Sequence, residues 1–197
     1  MSIQPAPPLS AKFHEALAYA SELHAAQLRK GTRIPYISHL LAVTSIVLEA
    51  GGTEDEAIAA VLHDGPEDQG GIETLNEIRR RFGDNVASIV EGCSDTFDTP
   101  KPPWEERKRA YREHLAAAGR STLLVSAADK LHNSRATLRD LRNEGTTVWN
   151  KFSATRDQTI GNYKRLIDVY ADGASDLRRD AIVSALRVAV AEMSVIK

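Results

Sequence analysis

The chain has 197 residues, 42% hydrophobic, 26% charged and 6% aromatic, the balance of an ordinary globular protein. At this length folding buries roughly 70% of the unfolded chain's surface, so a core needs no disulfide or structural zinc; Cys93 is the lone cysteine, which excludes an intrachain disulfide and any CxxC site and fits a reducing compartment. With 25 Lys plus Arg against 27 Asp plus Glu the net charge is -2, which argues against nucleic acid as a partner but permits a local basic pocket.

Residues 1–9 hold three prolines and read as a loose tail, leaving 10–197 as one domain. Ser10 can cap a first helix carrying Phe13, Leu17, Ala20 and His24, a face that continues toward Gln27 before Gly31 and Pro35 break it. RKGTRIPY is then a loop. A second helix is expected from about Ser38 to the Gly51-Gly52 stop. A third starts at Thr53 with Glu56 completing a capping box, and it should end at Gly65-Pro66. Further helices are expected at about 72–82, closed by Gly83, and at 85–93, opened by Asp84. After the proline-rich loop TPKPPW come helices at about 104–118, 121–142, 154–171 and 176–193. Strand and hairpin signals are nearly absent, so the fold class is all-α. No stretch approaches 18 apolar residues and MSIQPAPPLS resembles no leader, so a cytoplasmic chain with no membrane partner is expected.

Chemistry concentrates in three helix-associated segments: His39, the adjacent pair His63-Asp64, and Asp129. Imidazole nitrogen with carboxylate oxygen suits Mn, Fe, Co or Zn better than Mg or Ca. Neighbours on a helix point about 100° apart, so His63 and Asp64 can share one ion only at a helix end, which Gly65-Pro66 supplies. Glu67 and Asp68 follow within four residues and could orient or deprotonate a water at such a centre; a solvated acidic turn is the ordinary alternative. Asn133 lies one helical turn beyond Asp129 and so shares its face.

These residues lie in HAAQLRKGTRIPYISHLLAV, AAVLHDGPEDQGG, IRRRFGDNVASIVEGCSDTF, PKPPWEERKRAYREHL and VSAADKLHNSRATLRDL. In that order the segments resemble the small alarmone hydrolases, stand-alone HD-domain relatives of the bifunctional alarmone synthetase-hydrolases, over about residues 10–170. The resemblance implies a multi-helix HD-domain bundle. It implies a manganese-dependent enzyme that removes the 3′-pyrophosphate of guanosine tetra- or pentaphosphate, with adenosine counterparts left open. By position, His39, His63, Asp64 and Asp129 match the metal ligands, and Glu67 and Asp68 the catalytic pair. Arg29 and Lys30 match a basic pair whose Arg stacks on the base, Asn133 a ribose or phosphate contact, and Tyr163 a tyrosine of the nucleoside pocket. Lys101, Arg107 and Lys108 fall where relatives place cations that meet the pyrophosphate, with Arg109 facing out.

The remaining histidines carry less. His14 and His114 read as surface or interhelical residues, His24 as a brace for the site, and His132 as no ligand; Cys93, Trp104 and Trp149 read as packing residues. Gly-Pro inside HDGPED should stiffen that loop and Gly70-Gly71 should loosen its far end, while PKPPW lengthens the phosphate-facing loop. The competing readings are another HD nucleotidase or phosphodiesterase, and a regulator that binds the nucleotide without turnover. Self-association stays open.

Overall fold

The structure is a computed structural model that describes residues 9–97, 100–172 and 175–196; residues 1–8 of the expected tail lie outside these. The described chain forms ten α-helices: α1 (Ala11–Leu23), α2 (Ile37–Glu49), α3 (Glu54–Leu62), α4 (Gly65–Asp68), α5 (Gly71–Phe82), α6 (Asp84–Cys93), α7 (Trp104–Ala116), α8 (Arg120–Glu144), α9 (Arg156–Asp172) and α10 (Leu177–Val195). A 3-10 segment, Gly145–Lys151, links α8 to the chain that leads into α9. Among the described residues there is no strand, only an isolated bridge between Leu28 and Pro35, and no helix is long and apolar enough to cross a membrane.

Local chemistry accounts for most boundaries. Ser10 caps α1 by accepting from the Lys12 N–H. Thr53 and Glu56 form the expected reciprocal box, Glu56 Oε2 taking the Thr53 N–H at 2.7 Å. Pro66, expected to end α3, instead sits in the first turn of α4, where a missing N–H and a fixed φ cost nothing. After α4 the chain reverses sharply and forms no loose loop. Gly70 has φ +101°, and a Cβ there would lie 2.6 Å from Thr74 Oγ1, so only glycine fits. α1 stops at Leu23, short of Gln27, and the chain turns to bring Gln27 toward α4.

α3 is the innermost short helix: Ala57 through Leu62 are all fully buried, so its apolar surface runs round the whole circumference. α8 is the long spine, packed on α2, α3, α6, α9 and α10. Buried Glu56 joins three of these elements, since it also accepts from Ser121 Oγ at 2.8 Å and Arg178 Nη1 at 2.9 Å. Its replacement by alanine strands those donors, so Glu56→Ala is expected to cost about 3 kcal/mol. For a chain of this size that is a fall of about 6–12 °C in Tm, readable by calorimetry.

Candidate metal centre and adjoining cavity

The ligand candidates come from separate elements. His39 lies in the first turn of α2, His63 caps the C-terminus of α3, Asp64 opens α4, and Asp129 sits within α8. The break between α3 and α4 lets the adjacent His63 and Asp64 both turn inward. His39 Nε2 lies 3.3 Å from Asp64 Oδ2 and 3.2 Å from Asp129 Oδ1. His63 Nε2 lies 3.1 Å and 3.7 Å from the same two oxygens. His39, His63 and Asp129 offer ligand atoms all within 4.8 Å of one another, and all three side chains are buried.

Outer contacts fix the orientation of this cluster. His63 Nδ1 lies 2.8 Å from the Ala60 carbonyl, which can only accept, so Nδ1 carries a proton and Nε2 faces the carboxylates. His39 Nδ1 meets His132 Nδ1 at 2.6 Å. Burial, then His39 and Arg29, lower the His132 pKa to about 4, which keeps that ring neutral and able to accept from His39. Tyr36 donates its hydroxyl to Asp64 Oδ2 at 2.7 Å, and Lys130 and Asn133 hold Asp129, each at 2.5 Å. Burial opposes charge on His63, but Asp64 and Asp129 outweigh it and hold the pKa well above its usual value. For both carboxylates burial is likewise overcome, by His63 and His39 at Asp64 and by Lys130 and the histidines at Asp129, so both pKa values are held well below the ordinary range.

The cluster fits a divalent ion. Two buried Nε2 atoms make no well-formed hydrogen bond, yet both face the same pair of ionised carboxylate oxygens. A cation between the four atoms would satisfy all of them at once. Mixed nitrogen and oxygen donors match a transition metal.

Beside the cluster lies a cavity of about 670 Å³, whose wall includes Tyr36, Lys130, His132 and Asn133, the residues that hold the ligands. Arg29, Lys30, Asp68, Lys108 and Tyr163 also line it. Arg29 Nη2 donates to Asn133 Oδ1 at 2.6 Å, and its guanidinium lies 5.4 Å from the centre of the Tyr36 ring. The loop that carries Arg29 is closed by its N–H to the Ile34 carbonyl at 2.8 Å and by the Tyr36 N–H to the Gln27 carbonyl at 2.9 Å. Tyr163 is half-buried, its pKa pushed up to about 12 by burial.

Not every candidate reaches the cavity. Lys101 is exposed and pairs with Glu67 Oε1 at 2.9 Å, while Glu67 Oε2 accepts the Asp95 N–H at 3.0 Å. Arg107 and Lys108 both bind the buried Asp95 carboxylate, Lys108 at 2.9 Å, and only Lys108 of the two lies on the wall. Arg109 is exposed as expected, and His14 and His114 are surface residues. Trp104, expected only to pack, lines the cavity, whereas Trp149 packs on the core. Asp68 is partly open to solvent, and burial of its inner side together with Asp64 raises its pKa. Sequence reasoning missed Gln27, Tyr36, Asp95, Lys130 and the service of His132, although all five stand inside the quoted segments.

A helical bundle that gathers two imidazoles and two carboxylates beside a cation-bearing cavity defines a metal-centre protein. A family model described as HD domain matches residues 16–160. The guanosine-3′,5′-bis(diphosphate) 3′-pyrophosphohydrolase MESH1 of Xenopus tropicalis is 40% identical over 140 residues, 70% of this chain and 73% of its own. That of Drosophila melanogaster is 34% identical over 162 residues, 81% and 84%. Among solved structures, a metazoan ortholog of SpoT described as hydrolysing ppGpp superimposes with a TM-score of 0.70 at 33% identity, covering 92% of this chain and 96% of that one. The Listeria monocytogenes protein lmo0812 gives 0.65 at 28% identity, covering 76% and 97%. The chain belongs to the HD-domain family, in the group of the MESH1-type 3′-pyrophosphohydrolases.

Proposed function

We propose that the chain hydrolyses the 3′-pyrophosphate of guanosine tetra- or pentaphosphate, releasing pyrophosphate and the 5′-phosphorylated nucleotide, with manganese as the working ion. The observation that carries this reading is the placement of the His39, His63, Asp64 and Asp129 cluster against a cavity that holds both a guanidinium surface, Arg29, and a phosphate-seeking cation, Lys108. A bound divalent ion supplies Lewis acidity where the four ligand atoms converge.

The chain's own residues do the rest. Arg29, held by Asn133 and backed by Tyr36, presents a planar face on which a purine can stack. Tyr163 and Asn133 border the same space and suit the ribose. Lys108 meets the 3′-pyrophosphate, whose several charges call for a cation. Asp68 and Glu67 divide the acid-base work unequally. Glu67 has both oxygens engaged, by Lys101 and by the Asp95 N–H, so it positions. Asp68 has Oδ2 held by Gln27, while Oδ1 carries no hydrogen bond among the described residues. Asp68 is therefore the group to accept the proton of the attacking water, whose oxygen bonds to the 3′-linked phosphorus as the phosphorus–O3′ bond breaks, and to return that proton to the departing O3′.

Arg29 stacking is indifferent to the base edge, so adenosine 3′-pyrophosphates belong to the same proposal. The reading needs no nucleic-acid or membrane partner and keeps the cytoplasmic placement expected from the sequence. Its test is hydrolysis of guanosine tetraphosphate and its adenosine counterpart side by side with manganese, products resolved, beside a chelated control. Metal-dependent release of pyrophosphate is expected from the guanosine compound. Its absence from both compounds, with manganese bound, overturns the reading.

A further inference from the structure

One buried titratable side chain near the site takes no part in the chemistry above. His24, at the C-terminal cap of α1, is 3% exposed, and its Nε2 has no hydrogen-bond partner. A buried imidazole that leaves one nitrogen unsatisfied is a poor core residue, because an apolar ring of similar size would fill the space without that cost. What His24 does use is its other nitrogen and its face.

Nδ1 lies 2.7 Å from Gln27 Oε1. The direction of this chain of hydrogen bonds is fixed from its far end. The Asp68 carboxylate accepts from Gln27 Nε2 at 2.8 Å, so the amide nitrogen of Gln27 faces Asp68 and its oxygen faces back. That oxygen also accepts from Gln69 Nε2 at 2.7 Å. His24 must therefore carry its proton on Nδ1 and donate to Gln27. Its ring meanwhile stacks on Tyr36, with centroids 5.2 Å apart and planes 15° apart. Tyr36 donates to Asp64 Oδ2 at 2.7 Å and meets the His39 ring edge-on.

We infer that His24 and Gln27 are positioning residues, and that His24 joins two arms: one through Gln27 sets the Asp68 carboxylate, and one through the Tyr36 ring sets the metal ligand Asp64. The geometry calls for such a joint because α4 is a single turn between the break after Leu62 and the turn at Gly70-Gly71, and cannot by itself hold Asp64 and Asp68 in register. The first arm rests on the hydrolase reading, and the second on that reading's assignment of Asp64 as a metal ligand.

The two arms separate by substitution. Gln27→Met keeps the length of the side chain and loses the amide. It is expected to lower kcat tenfold or more, with KM and manganese affinity within twofold of the parent. His24→Phe keeps the stack and loses Nδ1, so it should match Gln27→Met, and the double variant should be no worse than either single one. His24→Ala loses both arms. It should show the same fall in kcat and, in addition, manganese binding weakened tenfold or more by calorimetric titration, where His24→Phe does not. Parental kcat in Gln27→Met, or additive losses in the double variant, overturns the first arm. Equal manganese affinity in His24→Ala and His24→Phe overturns the second, and that comparison needs no substrate. An inactive parent protein overturns the hydrolase reading and leaves the manganese comparison to decide the stack. Gln27 is only half-buried, so Gln27→Met reports even where a His24 variant fails to fold.

Discussion

Replacing Asp64 by alanine is expected to lower kcat about 1,000-fold or more, with helix content by circular dichroism unchanged. Asp64 stands where α3 breaks, so that it and the adjacent His63 both face the cluster. Its Oδ2 lies within 3.3 Å of both imidazole nitrogens, so its removal takes away the nearer to His63 of the two oxygens that both histidines face. A thousandfold loss corresponds to about 4 kcal/mol of transition-state stabilisation, within the range a Lewis-acidic centre provides. Tyr36→Phe supplies the graded comparison. It leaves all four ligands and removes only the donor to Asp64, so metal affinity should weaken about 10- to 100-fold while saturating manganese restores most of the rate. If Asp64→Ala retained activity at saturating manganese, the cluster would not be the reaction centre.

The contrast between the helices and the site contacts arises from how each is encoded. Periodic apolar positions and short caps placed the helices, because those signals act within one or two turns: Ser10 and the Thr53–Glu56 box work as read. Pro66 acts by the same local chemistry: α3 ends before it, and its fixed φ then suits the first turn of α4. The four ligand candidates were legible because His, His-Asp and Asp are chemically scarce types in a fixed order. The long-range pairings around them were not. Arg29 meets Asn133 across 104 residues, His39 meets His132 across 93, and Glu67 meets Lys101 across 34. Nothing in the local pattern says which of those side chains meet. Asp95 shows this most plainly: it follows the end of α6 with no motif of its own, yet its carboxylate is buried and binds Arg107 and Lys108 while its N–H holds Glu67.

Stripping the divalent ion should abolish turnover and also lower thermal stability, two effects with one cause. The candidate ligands come from α2, the α3–α4 junction and α8, so the unfolded chain has no comparable site and an ion held there would bind the folded chain alone. At a free concentration about 100 times the dissociation constant, such binding adds about 2.7 kcal/mol. For a chain of this size that raises Tm by about 5–10 °C. Excess chelator should remove that increment in a scanning measurement, and manganese should restore it together with activity. Complete unfolding is not expected, because the core around Ala57–Leu62 and the α8 spine is built from apolar burial independent of the ion. In His63→Ala the chelator-sensitive increment should shrink to within about 2 °C of zero, for loss of one imidazole leaves Asp64 and Asp129 facing a single nitrogen donor. A full increment in that variant would place the stabilising ion elsewhere on the chain.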